Sequence, residues 1–179
     1  MSELLSKPAI GAIEFDKGQD IDPLLRDVVS KLKSAKIRIA GFLQLSDQQT
    51  ETCADTLSVQ DIETGLTTKI SQPLGPGARG CRLNPVAMAE AASSLMTKLE
   101  NSPHLLVLNR FGRGEIEGGG FRQVIERAVE LGVPVLIAVR DPYTEGLKEF
   151  CGGYSEPLPQ DHRSVVGWCV SRVLEDAAC

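Results

Sequence analysis

The sequence predicts a single α/β domain, residues 1–179, built on a mostly parallel sheet. Short apolar runs at 8–15, 37–44, 104–109 and 133–139 have the length and composition of buried strands. Helical patterns lie between these runs, and two strands that are joined through one helix run parallel with a right-handed crossover. With 42% hydrophobic and 24% charged residues, a chain of this length can bury one full core.

Composition and charge exclude several classes of protein. The net charge of −5 argues against a dedicated nucleic-acid binder, which normally carries a basic excess. The opening MSELLSKPAI lacks the long apolar segment of a secretory signal, and no apolar run reaches the roughly 18 residues that span a bilayer. The five cysteines form no CxxC pair, which favours reduced thiols over a zinc site or a disulfide framework. We therefore expect a cytoplasmic protein that binds neither nucleic acid nor a membrane.

The first strand and the segment after it have the strand, loop and helix order of a phosphate-binding loop. Asp22 before Pro23 predicts a helix start capped by Asp22, with the helix continuing to about Ser34. Strand, loop and helix thus surround Lys17 and Gly18, which are candidate ligand-binding residues. The loop pattern GxxxxGK[ST] supplies backbone amides, a Lys and a hydroxyl to phosphates and magnesium.

The GxxxxGK[ST] motif itself is missing from the loop between this strand and this helix. Lys17 precedes Gly18, no Ser or Thr follows, and Asp16, Asp20 and Asp22 surround them with negative charge. Without a metal between them, those carboxylates would repel a triphosphate. An ordinary strand-to-helix turn is the alternative interpretation.

The middle of the chain predicts a hairpin, a glycine-rich loop and a helix. Two alternating segments within 57–72 flank Glu63-Thr64-Gly65, which is typical of a β-hairpin. The loop 73–82 is either a plain connector or an anion-binding lid with Arg79 and Arg82 as charged donors. Positive charge beside Cys81 would lower its pKa, but no His or Asn lies nearby to form a nucleophilic pair. Asn84-Pro85 then predicts a helix to about Glu100, whose apolar residues, methionines included, indicate packing.

The stretch 104–139 reads as strand, glycine-rich loop, helix and strand. In an open α/β sheet the ligand crevice lies beyond the carboxyl ends of the strands, where Asn109, Arg110 and Arg113 emerge. Gly119 and Gly120 lead into a helix whose first amides would be free to bind an anion. These five residues are candidate ligand-binding residues, with Arg79, Arg82 and Lys17 as further contributors. The alternative is that Arg110 and Arg113 pair with Glu115 and Glu117 as a solvated charge cluster.

The same stretch carries a resemblance to known families. NRFGRGEIEGGGF, after its apolar strand, resembles the second strand and loop of nucleoside-triphosphatases of the cancer-related type, a branch of the P-loop class. The chain is more similar to a family of uncharacterised bacterial proteins, several encoded near molybdate-uptake or molybdenum-enzyme genes. The shared segments are a second strand ending in Gln44, a GxxxGCRL-like segment at 77–83 and an LNRFGxxExxGxGF segment at 108–121. The resemblance implies a three-layer P-loop-NTPase-like fold with a β-hairpin insertion.

This chain differs from the triphosphatases at residues that hydrolysis requires, and these differences determine the function that we expect. Those enzymes carry an acidic pair at the strand end that helps hold magnesium, and this chain has Asn109-Arg110 there. Glu115 keeps the position of the later glutamate and is the candidate catalytic base. We expect a small anionic ligand, either a nucleotide with Mg²⁺ or an oxyanion such as molybdate, that is bound without hydrolysis. The alternative is a divergent triphosphatase that uses Glu115 and a metal held by Asp16 or Asp20.

The sequence at the end of the chain predicts two further helices. A short helix is expected at 143–150 and a final helix at about 161–176. The apolar residues of the final helix predict packing onto the sheet or against a second copy of the chain, as in a homodimer. His104 and His162 lie at element starts and are expected to be structural.

Overall fold

A computed structural model describes residues 9–47, 56–73 and 81–177. No helix within these ranges is long and apolar enough to cross a membrane. The strands are β1 (Ile10–Phe15), β2 (Ile39–Asp47), β3 (Thr56–Asp61), β4 (Thr67–Lys69), β5 (Ser71–Pro73), β6 (Cys81–Leu83), β7 (Leu105–Phe111), β8 (Val135–Arg140) and β9 (Ser155–Leu158). The helices are α1 (Asp22–Ser34), α2 (Pro85–Leu99), α3 (Arg113–Ile116), α4 (Arg122–Glu130), α5 (Thr144–Cys151) and α6 (His162–Asp176).

Seven strands form the main sheet in the order β4-β3-β2-β7-β8-β1-β9. The five strands from β2 to β9 pair in parallel, and the hairpin β3–β4 continues the sheet antiparallel beyond β2. β7 runs parallel to β8, as the pattern of residues 104–139 predicts. The three-layer P-loop-NTPase-like fold with a hairpin insertion is therefore confirmed.

Two apolar cores cover the two faces of this sheet. Alternate residues of β7 point to opposite faces, so Leu106 and Leu108 pack with α2 and α4, whereas Leu105 and Val107 pack with α1 and α6. In the final helix Val165, Trp168 and Cys169 are buried in the second core. The final helix thus packs onto the sheet, which is the first of its two predicted arrangements.

The carboxyl ends of the parallel strands lie at one edge, and the loops there form the candidate site. A register shift between Leu108 and Phe111 interrupts the ladder between β7 and β8. Such irregularities re-aim side chains near functional sites. Here the interruption coincides with Asn109 and Arg110, the last polar residues of β7.

Three details differ from the sequence-based expectations. Ile21, not Asp22, is the N-cap of α1, and the amide of Asp22 donates a hydrogen bond to Asp20 Oδ1 at 3.1 Å. The predicted cap by Asp22 is wrong because its carboxylate is engaged elsewhere, as described below. Within 73–82, Pro73 pairs with Cys81 in a small antiparallel sheet, β5–β6, that the loop prediction missed. The fifth parallel strand, β9, was also missed because Pro157 lies in it, which an edge strand tolerates.

Other boundaries agree with the predictions. Asn84 caps α2, where its side-chain oxygen accepts hydrogen bonds from the amides of Val86 and Ala87. His104 is structural, since its Nδ1 accepts a hydrogen bond from the amide of Arg38. Val86 and Leu174 are exceptions, because both are exposed although their helical patterns predicted packing.

Candidate functional site: a cleft beside the strand ends

A cleft of about 880 Å³ lies between helix α2 and the sheet and extends to the carboxyl ends of β7 and β8. Its volume falls within the range of about 300–1,000 Å³ that is common for sites of small organic ligands. The wall is mostly apolar, and polar residues gather where the strands end. The polar lining residues are Gln44, Ser93, Asn109, Arg110, Arg113, Glu115, Gln123, Arg140 and Tyr143.

At the base of the polar end, Asp22 joins α1 to β7. Asp22 is 5% exposed, and its Oδ1 accepts a hydrogen bond of 2.8 Å from Asn109 Nδ2. Arg110 Nη2 lies 3.4 Å from the same oxygen. A carboxylate only accepts hydrogen bonds, so this contact fixes the orientation of the Asn109 amide. The carboxylate of Asp22 thus supplies a negative charge in the first turn of α1.

This network leaves two buried polar atoms of the cleft residues without a partner in the described part of the chain. Asn109 is 6% exposed, and its Oδ1 accepts no hydrogen bond from the described residues. Arg110 Nε donates none to these residues, while the guanidinium lies 5.5 Å from the centre of the Phe15 ring. Unpaired buried polar groups are rare in native proteins and cost about 1–3 kcal/mol each. An unpaired acceptor and an unpaired donor are therefore buried on adjacent residues at the polar end of the cleft.

Arg140 is a cation that the sequence-based list of candidates omitted. It ends β8, lines the cleft and is half-buried. Its guanidinium makes no hydrogen bond or ion pair with any residue in the described part of the chain. A half-buried guanidinium without a carboxylate partner is a suitable anchor for an anion. The only available signal in the sequence was its place directly after the β8 run, at the same sheet edge as Arg110.

Glu115 organises the glycine-rich loop. It is 6% exposed, and its two carboxylate oxygens accept hydrogen bonds from the amides of Gly112, at 2.9 Å, and Phe121, at 3.0 Å. Phe121 is the N-cap of α4, so this carboxylate serves the amino end of that helix. A Cβ at Gly120 would collide with Glu115 Oε1, which explains a glycine there. The contacts support a positioning role for Glu115.

Arg113 differs from Arg110. Its side chain is 79% exposed and pairs with Glu117 at 2.6 Å, one helical turn away. This pair raises the pKa of Arg113, first through the hydrogen bond that its Nε donates to Glu117 and then through the attraction of the opposite charges. The predicted alternative of a solvated charge cluster thus holds for Arg113 and Glu117. It is wrong for Arg110, whose partner is Asp22 rather than Glu115.

The structure brings six of the predicted site residues to the cleft and leaves others apart. Asn109, Arg110, Arg113, Glu115, Gly119 and Gly120 line it. Lys17 and Gly18 are exposed on the loop between β1 and α1 and do not line it. Arg79 lies outside the described residues. The backbone of Arg82 lies in β6, and its side chain is not among the parts that the structure describes.

Two methionines on α2 were assigned to packing by the sequence pattern, yet they also line the cleft. Met88 and Met96 are half-buried, contact the core and border the cleft on either side of Ala92. A helical apolar stripe looks the same in sequence whether it faces a core or a cavity. Within the described ranges, no cluster of three His, Cys, Asp or Glu residues is suited to a metal ion.

Comparisons with known proteins agree with this architecture. The crystal structure of THEP1 from the hyperthermophile Aquifex aeolicus superposes with a TM-score of 0.62 at 13% identity, covering 92% of this chain and 98% of that one. The molybdenum import ATP-binding protein ModC 2 of Bradyrhizobium diazoefficiens is 31% identical over 159 residues, which are 89% of this chain and 18% of that protein. This chain therefore corresponds to less than a fifth of that relative.

The family match covers more of the chain than any single motif does. A model of one protein family matches residues 10–168, from β1 into α6. The resemblance to uncharacterised bacterial proteins, with a distant likeness to P-loop proteins, is thereby confirmed. Because this match spans most of the sequence, the protein belongs to the family described as Protein of unknown function (DUF2478).

Proposed function

We propose that this protein binds a small anionic ligand, a nucleotide or an oxyanion, in the cleft and does not hydrolyse it. One observation carries the proposal: Arg140 lines the cleft without a partner in the described part of the chain. Arg110 lies at the same polar end, and its Nε has no partner among the residues that the structure describes. Two cations facing a largely apolar cleft favour an anion, because charge-assisted hydrogen bonds are about twice as strong as neutral ones.

The absence of hydrolysis is supported by the first loop. In that loop Lys17 precedes Gly18, no Ser or Thr follows as in GxxxxGK[ST], and α1 begins with Asp22 and Pro23. A carboxylate there repels a phosphate, and proline offers neither an amide nor a hydroxyl. Asn109 and Arg110 replace the acidic pair of the triphosphatases, and Glu115 is engaged by two amides. The groups on which phosphoryl transfer depends are thus replaced or occupied.

The proposal also links the protein to molybdenum metabolism. Support comes from the 31% identity to part of a protein named for molybdenum import. A protein that binds an anion without turnover is suited to sensing or delivering it. We place this role in the cytoplasm, as the cysteine pattern favours.

The test is a binding measurement on the purified protein. Thermal-shift screening against ATP, GTP, molybdate, tungstate, sulfate and phosphate should give a concentration-dependent rise in melting temperature for at least one anion. Calorimetry with that anion should show about tenfold weaker binding to Arg140→Ala. Arg127→Ala is the matched control. Arg127 lies in the C-terminal part of α4, pairs with Glu100 and does not line the cleft.

Two outcomes would overturn the proposal. One is a melting temperature that no anion in the set changes. The other is equal affinity in Arg140→Ala and Arg127→Ala, which would place any bound anion away from the cleft.

A further inference from the structure

We propose that the occupant of the cleft is an organic anion with a flat aromatic ring, rather than a bare oxyanion. The ring lies against helix α2 and the anionic group lies at Arg140 and Arg110. This inference rests on the proposed function and adds the chemical class of the ligand.

The size and polarity of the cleft argue against a bare oxyanion. A tetrahedral oxyanion would occupy only the polar end of a cleft of about 880 Å³. It would leave uncovered the wall formed by β2, β3 and α2, including Leu57, Val59 and Met88. Covering apolar surface contributes about 25 cal/mol per Å², which favours a ligand with an apolar body.

Helix α2 offers a slot for a flat group. Met88, Ala92 and Met96 are spaced four residues apart, so they lie on one helical face, and all three line the cleft. The small Ala92 leaves space between two flexible thioethers. Sulfur atoms make favourable contacts with aromatic rings. Across the cleft, the Phe42 and Phe121 rings, with centres 5.9 Å apart, close the floor.

Uncharged polar groups around this slot favour a heterocycle over an alkyl chain. The side-chain amide of Gln44 lines the cleft and makes no hydrogen bond with the described residues. An alkyl chain would leave this amide without a hydrogen bond inside the cleft, which is unfavourable. The edge of a nitrogen heterocycle carries donors and acceptors that can pair with it.

A set of five probes separates these ligand classes. AMP and GMP combine a ring with an anion, ribose 5-phosphate lacks the ring, octanoate replaces the ring with an alkyl chain, and molybdate is a bare oxyanion. Titration calorimetry should show that AMP or GMP binds at least tenfold more tightly than ribose 5-phosphate, octanoate or molybdate. Equal or tighter binding of any of these three would overturn the inference and leave the proposed function standing. If none of the five binds, the inference falls too, and the thermal-shift screen with triphosphates and oxyanions decides whether the proposed function stands.

A matched pair of variants tests the place of the ring. Ala92→Leu fills the slot and should weaken binding of the preferred nucleotide at least tenfold, with ribose 5-phosphate affected less than threefold. Ser94→Leu makes a similar insertion on the exposed face of the same helix and should leave both affinities unchanged. Circular dichroism checks that both variants fold, and Met96→Ala, expected to cause a threefold or greater loss, replaces Ala92→Leu if it does not. Unchanged nucleotide affinity in the folded slot variant would overturn the inference.

Discussion

The carboxylate of Asp22 and the side-chain amide of Asn109 are joined by a buried hydrogen bond of 2.8 Å. Asp22 is the first residue of α1, directly after the first loop, and Asn109 begins the pair that stands where the resembled triphosphatases carry two acidic residues. The next residue, Arg110, also faces Asp22. A carboxylate from α1 and a guanidinium from β7 thus face each other where the first loop meets the end of β7. Asp22 gives the first turn of α1 an internal anion.

The first prediction is that Asp22 stabilises the fold. Asp22→Ala leaves the Asn109 amide and Arg110 without their partner, so the free energy of unfolding should fall by about 2 kcal/mol, within the usual range for a lost buried partner. Asp27→Ala is the matched control, because Asp27 is exposed on the same helix. Its effect should be below about 0.5 kcal/mol.

Urea denaturation at pH 7 measures both variants. Equal stability of Asp22→Ala and Asp27→Ala would show that the network at the base of the cleft contributes nothing to folding.

The second prediction concerns hydrolysis. With magnesium and ATP or GTP, the purified protein should release phosphate at the background rate, because the first loop lacks the GK[ST] lysine and hydroxyl and leads into Asp22 and Pro23. Glu115→Gln should leave that rate unchanged. Turnover that is above background in the natural protein and lost in Glu115→Gln would establish the divergent triphosphatase instead.

Local signals made the architecture predictable from the sequence. Asn84-Pro85 starts α2 as expected, since cap and proline act through neighbouring backbone atoms alone. The apolar run that ends at Val139 similarly identified β8. Periodicity and capping depend on residues close in sequence, so a single chain reveals them.

The site was only partly predictable because its chemistry depends on contacts between distant residues. Arg140 is available to a ligand because no carboxylate of the described residues pairs with it, which no sequence pattern records. Asp22 has the residue type and position of a helix cap. Its carboxylate instead accepts a hydrogen bond from Asn109, which is 87 positions away in sequence. Met96 faces the cleft although its spacing fits a core. In each case the tertiary partner decides the role, and propensity does not.

The third prediction is a pH dependence of stability from Asp61. Burial by itself raises the pKa of this carboxyl, but the hydrogen bond from Lys98, with the amides of Thr64 and Glu63, lowers the pKa below its ordinary value of 3.8. The lowered pKa means that the contribution to stability is present above pH about 4. It is lost as pH falls through the folded-state value.

Asp61→Asn tests this dependence. At pH 7 the variant should be less stable than the natural protein by about 1–3 kcal/mol, because Lys98 loses a partner at 2.7 Å. In acid the gap should narrow, since the carboxyl of the natural protein is then protonated. Urea denaturation from pH 7 to pH 3 provides the comparison, and a gap that stays constant over this range would contradict the assignment.

The last prediction tests whether Glu115 positions the glycine-rich loop. Gly120→Ala places a Cβ against Glu115 Oε1 in a backbone with φ +57°, so it should displace the carboxylate from the Phe121 amide. Gly118→Ala is the matched control, because its φ is also positive, at +93°, but its Cβ would meet nothing within 4 Å. Gly120→Ala should therefore reduce the free energy of unfolding more than Gly118→Ala does, by about 1–3 kcal/mol.

A double-mutant cycle then identifies the contact that is responsible. Glu115→Gln keeps the length of the side chain but puts an amide nitrogen where one carboxylate oxygen accepted a hydrogen bond. If the cost of Gly120→Ala arises from displacing Glu115, the two changes should be non-additive by at least about 0.5 kcal/mol, whereas Gly118→Ala with Glu115→Gln should add within about 0.3–0.5 kcal/mol. Additive effects for both pairs, measured by urea denaturation, would mean that backbone strain alone explains the glycines and that Glu115 is free for another role.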